Sequence, residues 1–280
     1  MKKILITGAN SYIGTSFERW IRQWPENYQA YSLDLHKDEW KNHDFSLYDV
    51  VLHVAGIVHI KEKKCNIEQF YKVNRDLAYE TASIARVHNV KQFIYMSTMS
   101  VYGMDEGVIN KETSLNPKTH YGKSKLQAEE MLLNLRDENF KIVIVRPPMV
   151  YGKHCRGNYN YLSRFAKILP IFPAMYNERS MIYIDNLSEY IRVIIDNNTE
   201  GTFFPQNNEY VKITEMVQMI ADIHGKKIYS TKLLNPFIKF LPIHLYKKIF
   251  GSLKNDIRDE LDINQCSFED SIMYTEDIKL

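Results

Sequence analysis

The chain contains little cysteine. Its 280 residues include only Cys65, Cys155 and Cys266, which are widely spaced and form no C-x-x-C pair. Such a pattern does not favour a disulfide framework, and it is typical of reduced thiols in a cytoplasmic protein. We therefore expect a cytoplasmic chain without structural disulfides, and we predict no metal site.

Long apolar runs and a strong charge of either sign are also missing. No run reaches the ~18 residues that a membrane-spanning helix needs. The apolar stretch after Met1 ends at Gly8, too early for a signal peptide. The formal net charge is only +2, and no basic cluster stands out beyond short lysine pairs. These absences argue against an integral membrane protein and against a nucleic-acid partner.

The composition that remains, 45% hydrophobic and 25% charged residues, is that of a globular protein with a sizeable core. Strand and helix patterns alternate through the first 150 residues. The predicted strands are 4–7, 29–33, 50–54, 92–96 and 141–145, and the predicted helices are 12–23, 67–88 and 121–136. This alternation predicts an α/β fold with a doubly wound parallel sheet of the Rossmann type.

The pattern loosens after Tyr151, where prolines break the chain into short elements. We predict a smaller carboxyl-terminal substrate lobe in this half, with residues 182–195 returning to the sheet. The expected division is a dinucleotide-binding domain of residues 1–155 plus 182–200 and a substrate lobe of residues 156–181 plus 201–280.

A turn typical of dinucleotide binding follows the first predicted strand. Gly8, Ser11 and Gly14 occupy the positions of a G-x-x-G-x-x-G motif, with serine in place of the middle glycine. Glycine permits the tight turn and close helix–strand packing, and the helix N-terminus would face a pyrophosphate. Asp34 ends the next apolar run. A carboxylate there would accept the ribose hydroxyls of NAD(H) and disfavour NADP(H).

The chemical signal in the sequence is the pair Tyr121 and Lys125, four residues apart in a segment with helical periodicity. Both side chains would lie on one helix face, where the ammonium would lower the tyrosine pKa from about 10 and create a general acid or base. Thr98 follows a buried run and would hold the substrate oxygen whose proton moves. The spacing alone also fits a surface helix with an ordinary tyrosine.

Five segments, TGANSYIG, DVVLHVAG, STMSVYG, YGKSK and RPPMVYG, together resemble the extended short-chain dehydrogenase/reductase family, in the branch that acts on nucleotide sugars. The resemblance covers at least residues 1–190. It implies a catalytic set of Thr98, Tyr121 and Lys125. It also implies cofactor contacts from Gly8, Ser11, Tyr12, Ile13, Gly14, Asp34, Asp44, Phe45, Ala55, Gly56, Asn74, Tyr121, Lys125 and Pro148, and substrate contacts from Thr98, Met149, Asn158 and Arg179.

Several of these implied roles are specific. Asp44 and Phe45 match the family's adenine-contacting pair, and Asn74 matches its asparagine near the active site. Arg179 occupies the place of an arginine that holds the diphosphate of the sugar nucleotide, a task that suits a guanidinium fork. Its alternative is an ordinary surface ion pair.

The departures from the family pattern narrow the function. Met99 and Ser100 follow Thr98 where 4,6-dehydratases carry an acid and a base, so a dehydratase is not expected. Met149 replaces the asparagine of many 4-epimerases. Arg258 is the only arginine after Arg192, which puts a second diphosphate arginine in doubt.

The loop after Tyr151 resembles a bacterial surface-polysaccharide subgroup that contains 4-ketoreductases and UDP-sugar 4-epimerases. Three functions follow. The first is NAD(H)-dependent reduction of a UDP-4-keto-6-deoxy-N-acetylhexosamine at C4. The second is a 4-epimerase of the UDP-glucose or UDP-N-acetylglucosamine type, and the third is a non-catalytic, cofactor-binding regulator. His154 and Cys155 are either extra acid–base groups or loop residues over the diphosphate. The resemblance also implies a homodimer.

The carboxyl-terminal part is less informative. Residues 233–250 are apolar with interleaved lysines. They are expected to form short helices, interrupted by Pro236 and Pro242, that close the lobe. The alternative is a segment that rests on a membrane surface. The last fourteen residues are rich in acidic groups, and no pattern assigns them a place.

Overall fold

The computed structural model describes residues 1–58, 67–238, 246–247, 250–259, 261, 263 and 265–277. The prediction for Cys65 and most of the prediction for residues 239–249 lie outside the described residues. Within these ranges the protein is built on one six-stranded parallel sheet with helices on both faces. The predicted fold class is therefore confirmed.

The central sheet has the strand order β10-β6-β4-β3-β1-β2. Its strands are β1 (Lys2–Thr7), β2 (Tyr28–Leu33), β3 (Val50–His53), β4 (Gln92–Met96), β6 (Lys141–Val145) and β10 (Gly201–Phe203). All neighbouring pairs are parallel. The order reverses between β1 and β3, and such a switch point opens a ligand crevice at the carboxyl ends of the two strands.

Six further short strands pair outside the central sheet as β5 with β12, β7 with β9 and β8 with β11. Their bounds are Gly107–Ile109 (β5), Met149–Tyr151 (β7), Ile171–Pro173 (β8), Met181–Tyr183 (β9), Tyr229–Thr231 (β11) and Leu253–Asn255 (β12). Most of them belong to the second half of the chain, where the sequence predicts short elements.

The described helices are α1 (Tyr12–Ile21), α2 (Ile67–Tyr71), α3 (Leu77–Val87), α4 (His120–Leu133), α5 (Asn158–Ile168), α6 (Ile184–Asp196), α7 (Ile213–Ile223), α8 (Asn235–Ile238) and α9 (Phe268–Thr275). A π-helical turn, Lys72–Asp76, joins α2 to α3, so the predicted helix 67–88 is one rod with a bulge. Within the described ranges, no helix is both long and apolar enough to cross a bilayer.

The apolar runs of the strands bury side chains on both faces of the sheet. Alternate residues of one strand enter two different hydrophobic clusters, as Ile4 and Leu5 do in β1. One cluster lies under α1, α6 and the helices α5 and α7, and the other lies under α3 and α4. This two-sided burial is why the strands lack an apolar–polar alternation.

One predicted boundary is wrong. Gly201–Phe203 pairs with β6 as the edge strand of the central sheet, so it does not belong to the lobe that the sequence was expected to begin at residue 201. Residues 182–195, which were predicted to return to the sheet, form β9, which pairs with β7 outside the central sheet, and the helix α6, which packs on α1. The edge strand is only three residues long, too short to leave a periodic signal.

The last helix, α9, closes the second half of the molecule. Ser271 Oγ lies 2.6 Å from the phenol oxygen of Tyr151. Glu276, whose side chain is almost fully buried, accepts hydrogen bonds from Tyr159 and Ser163 and pairs with Lys167. The acidic residues near the carboxyl end, which the sequence left without a place, therefore include an anchor for α5.

Candidate active site

The glycine-rich turn has the close contacts that a dinucleotide cradle needs. Gly8 has φ = +102°, and a Cβ there would lie 2.7 Å from the backbone nitrogen of Ala55. A Cβ on Gly14 would meet Ile6 and Val54 at 3.0 and 3.1 Å. Ser11, which replaces the middle glycine, is the N-cap of α1 and accepts the Gly14 N–H at 3.2 Å. These residues fit a pyrophosphate at the N-terminus of α1.

Gly8→Ala is expected to weaken NADH binding at least tenfold, because the new methyl group would push the turn away from Ala55. Fluorescence titration of the purified variant measures this. Gly201→Ala is the matched control, since Gly201 also has a positive φ of +114° but no atom within 4 Å of the added Cβ. Equal losses in both variants would attribute the effect to backbone strain and not to the cradle.

Of the residues predicted to contact the adenosine part of the cofactor, Asp34 and Asp44 are exposed, but Phe45 is not. The backbone of Leu33, at the end of β2, accepts the Gly8 N–H at 3.1 Å. This places Asp34 beside the turn, where it is exposed and paired with His36, which lowers its pKa. Phe45 differs from the prediction, because its ring is fully buried and its N–H donates to His88 Nδ1. Phe45 therefore serves the core, and Asp44 is the exposed member of the pair.

Two elements, the end of β4 and the start of α4, bring the predicted catalytic residues together. Thr98 lies two residues after β4, and its side chain is hydrogen-bonded to the phenol of Tyr121. Tyr121 stands in the first turn of α4, which Thr119 caps by accepting the Gly122 N–H at 3.1 Å. One turn further, Lys125 is buried and donates to the Met96 carbonyl at the end of β4, at 2.7 Å.

The electrostatics of this set differ from the prediction. Burial raises the pKa of Tyr121 to about 12, although its hydrogen bond with Thr98 acts in the opposite direction. Burial also lowers the pKa of Lys125 to about 7, against the charge of Glu129, which raises it. The predicted lowering of the tyrosine pKa is therefore wrong: desolvation exceeds any help from a lysine that is itself partly neutral.

Asn74 holds the loop that follows β3 against this lysine. Its amide accepts the Ile57 N–H at 2.8 Å and donates to the Ile57 carbonyl and to Ser124 Oγ. A Cβ on Gly56 would lie 3.2 Å from Lys125 Nζ. Because both amide hydrogens of Asn74 are engaged within the protein, this residue acts by positioning the backbone beside the site.

Two buried rings under Lys125 were not singled out by the sequence. The Lys125 ammonium lies 4.5 Å from the ring centroid of Tyr95, whose hydroxyl donates to the Asn74 carbonyl. His53 stacks on Tyr95 and shares a 2.8 Å hydrogen bond with Thr7. Both residues stand in apolar strand segments, so the sequence pattern indicates core positions. Only their location at the carboxyl ends of β3 and β4 indicates that they lie near the site.

His53 makes the fold acid-sensitive. Burial lowers its pKa to about 3, so between about pH 6.5 and pH 3 the unfolded chain binds a proton that the folded chain does not. The contribution of neutral His53 to the free energy of unfolding is fully present above this pH range and is lost as the pH falls through it. We expect His53 to contribute a loss on the order of 2 kcal/mol between pH 6.5 and pH 5.

His53→Phe should keep the ring stack and flatten this part of the pH dependence, as measured by urea unfolding at several pH values. His36→Phe, at an exposed histidine, is the control. An unchanged slope in His53→Phe would show that other groups govern acid unfolding.

A buried ion pair fixes the position of α4, the helix that carries Tyr121 and Lys125. Glu129, one turn after Lys125, binds Arg146 at 2.5 Å and also accepts the Ser97 hydroxyl. Arg146 donates to the hydroxyl of Tyr102 at 3.0 Å. The pair ties α4 to the ends of β4 and β6. The sequence shows only that Glu129 lies four residues after Lys125, on the same helix face.

Three of the four predicted substrate residues line one small pocket of about 20 Å³, whereas Thr98 lies outside it, beside Tyr121. Met149, Asn158 and Arg179 surround the pocket together with Tyr161, Leu162, Met181 and Ile213. Arg179 is not a surface ion pair, because its Nη1 donates to the carbonyls of Lys247 and Gly251, at 3.2 and 2.6 Å. Pro148 precedes Met149 and is half-buried. Apart from Asn158 and Arg179, the lining is mostly apolar.

Three other candidates lie elsewhere. Cys155 is buried in the hydrophobic cluster, and burial raises its thiol pKa. This argues against an acid–base role for Cys155, while His154 is exposed in the same loop. Arg258 donates to the carbonyls of Asn207 and Asn208. It lines a separate cavity of about 760 Å³ with Tyr102 and Arg146, not the pocket of Arg179.

A doubly wound parallel sheet with a glycine-rich turn at its switch point defines an α/β enzyme of the dinucleotide-binding class. The chain belongs to the NAD dependent epimerase/dehydratase family, whose model matches residues 4–204.

Curated relatives include enzymes of two activities. The UDP-glucose 4-epimerase of Vibrio cholerae is 29% identical over 93% of this chain and 85% of its own length. The N-acetyl-alpha-D-glucosaminyl-diphospho-ditrans,octacis-undecaprenol 4-epimerase of Escherichia coli O157:H7 is 31% identical over 60% of this chain and 53% of its own. A dTDP-4-dehydrorhamnose reductase of Aggregatibacter actinomycetemcomitans is 27% identical over 60% of this chain and 58% of its own.

A solved structure supports the fold over almost the whole chain. The UDP-glucuronic acid 4-epimerase of Bacillus cereus, in complex with NAD, superimposes with a TM-score of 0.76 at 20% identity. The match covers 98% of this chain and 96% of that chain. The lobe as well as the dinucleotide-binding half therefore has the architecture of a known relative.

Proposed function

We propose that the protein is an NAD(H)-dependent oxidoreductase that acts at C4 of a nucleotide sugar and reduces a UDP-4-keto-6-deoxy-N-acetylhexosamine. The observation that carries this proposal is the arrangement of Tyr121, a buried phenol that is hydrogen-bonded to Thr98 and lies one helical turn from Lys125. A reductase needs a proton donor at rest, because its substrate arrives as a ketone. NADH, when bound, supplies the hydride that reduces the carbonyl carbon.

The protein's own groups provide the proton and the alignment. Tyr121 gives its proton to the substrate oxygen as that oxygen becomes an alkoxide, and Thr98 donates a hydrogen bond to the same oxygen. Lys125 lies one helical turn from Tyr121 and would hold the ribose of the cofactor beside Gly56. Its pKa of about 7 lets it gain charge as the phenolate forms, which stabilises that state.

The nucleotide sugar would contact Met149, Asn158 and Arg179 in the lobe, and the small pocket between them, about 20 Å³, would open to admit it. Arg179 uses Nη1 on two backbone carbonyls, which fixes its guanidinium so that the opposite edge can meet a diphosphate. The methionine side chains of Met149 and Met181 suit a sugar that carries apolar substituents, such as a deoxy methyl group. This supports the deoxy sugar over a fully hydroxylated one.

A 4-epimerase is the second candidate, and the names of the similar proteins favour it, since three of the four described above are 4-epimerases. The same three residues would serve. Its two half-reactions would use Tyr121 first as a base and then as an acid. Against this candidate, the pocket has Met149 where many 4-epimerases carry an amide.

Net consumption of NADH distinguishes the two candidate functions, because a reductase consumes it and an epimerase does not. The purified protein is mixed with UDP-4-keto-6-deoxy-N-acetylglucosamine and NADH, and the absorbance of NADH is followed. We expect stoichiometric loss of NADH. If NADH stays constant while UDP-N-acetylglucosamine and its galacto epimer interconvert without added cofactor, the epimerase is correct. NADPH in place of NADH tests the cofactor choice, and Asp34 predicts slower turnover with it.

A further inference from the structure

The lobe carries an exposed apolar face that the proposed reaction does not use. Its members come from the end of α5, from β8 and β11, and from the turn after β11. We call the following set the lobe face: Ile168, Leu169, Ile171, Tyr229 and Leu233, which are between 38% and 81% exposed. Five large apolar side chains on adjoining elements are more than scattered surface positions.

Strand pairing shows that the lobe face is one surface. Ile171 and Tyr229 are register partners in the parallel pair of β8 and β11, so their side chains leave the sheet on the same side. The next residue, Phe172, is only 2% exposed and points to the core. Ile168 and Leu169 run directly into β8, since the Pro170 carbonyl accepts the Tyr229 N–H at 3.0 Å.

The lobe face continues towards the proposed substrate pocket. Tyr161 lines that pocket and is 60% exposed. It lies seven residues before Ile168 on α5, and residues seven apart share one side of a helix, about 10 Å apart along its axis. An apolar band therefore extends from the pocket mouth to the end of the helix.

The two segments that carry this band hold basic residues and no acid. Residues 158–174 contain Arg164 and Lys167 but no acid, and residues 225–238 contain three lysines but no acid. Lys167 is neutralised by Glu276, which leaves Arg164, Lys226, Lys227 and Lys232. The whole chain has nearly equal numbers of basic and acidic residues, so this basic excess is local.

We propose that the lobe face docks on an anionic lipid bilayer. Aliphatic side chains with a tyrosine would enter the interface, and the flanking lysines would contact the lipid phosphates while their stems lie along the apolar surface. Docking in this orientation places the mouth of the substrate pocket next to the membrane. The association is peripheral and depends on anionic lipid and on ionic strength.

The test is co-sedimentation of the full-length protein with vesicles of phosphatidylcholine, with or without about 30% phosphatidylglycerol. We expect binding to the anionic vesicles in 0.1 M salt and release in 0.5 M salt. Lys227→Glu with Lys232→Glu should weaken binding at least about 25-fold, because loss of each positive charge costs about fivefold and each new carboxylate is repelled by the lipid. Lys91→Glu with Lys123→Glu, exposed lysines outside the lobe, is the charge-matched control.

The apolar part is tested by Leu233→Glu, at a side chain that is 81% exposed, against Val87→Glu, at one that is 77% exposed on the opposite side of the central sheet. Loss of binding only in Leu233→Glu supports the proposal. Absence of binding by the native protein in 0.1 M salt would overturn it, as would equal losses in both variants. A dimer that becomes a monomer only in Leu233→Glu, measured by light scattering, would make the lobe face a contact between copies of the chain.

Discussion

Tyr121→Phe is expected to lower kcat by about 10²–10⁴-fold and to leave the dissociation constant of NADH within about twofold of the native value. The phenylalanine ring fills the same buried space in the first turn of α4, so the fold and the cofactor cradle stay intact. Only the phenol hydroxyl is lost, and with it the transferable proton and the hydrogen bond to Thr98.

Steady-state turnover and NADH titration on one preparation measure both quantities. Tyr274→Phe, at an exposed tyrosine of α9, should change neither. Turnover within a few-fold of native in Tyr121→Phe would remove this residue from the mechanism. Loss of NADH binding together with turnover would assign it a structural or cofactor-binding role.

Glu129→Leu is expected to destabilise the fold by about 3–5 kcal/mol, the usual loss when one partner of a buried ion pair is removed. Arg146 would keep its charge in a site where its side chain is only 10% exposed, and Ser97 would lose its acceptor. Because the pair joins α4 to β6, Lys125 and Tyr121 should also lose their alignment, so turnover falls in the fraction that remains folded.

Glu129→Leu combined with Arg146→Met separates charge from packing. Removing both charges should recover part of the stability, since no uncompensated charge remains buried. Urea unfolding of the two single variants and the double variant gives the coupling free energy. Strict additivity of the two losses would contradict a direct interaction between these side chains.

Much of the dinucleotide-binding half was predictable because its strands and its glycine-rich turn depend on short sequence patterns. The glycine turn follows from steric limits on φ and on close approach, and Gly8 and Gly14 meet those limits against Ala55 and Val54. The five predicted strands were found to within about two residues because buried parallel strands are short apolar runs. Ser11 shows the same logic, since an N-cap hydroxyl can occupy the position of a glycine.

What the sequence could not supply depends on distant contacts. A Y-x-x-x-K spacing does not reveal how deeply the pair is buried, and desolvation reverses the expected shift of the Tyr121 pKa. Phe45 matches a cofactor motif, yet it is taken into the core beside Trp40 and His88. Glu129 and Arg146 are 17 residues apart in the sequence, so no local spacing pattern predicts that they form an ion pair.

The central claim, hydride transfer between the cofactor and C4 of the sugar, is tested most directly with deuterium. The protein is supplied with [4-²H]NADH of each stereochemical label and UDP-4-keto-6-deoxy-N-acetylglucosamine, and the product is analysed by NMR and mass spectrometry. The account predicts that one of the two labels appears at C4 and nowhere else in the sugar. A product without deuterium from either label, or with deuterium at another carbon, would contradict it.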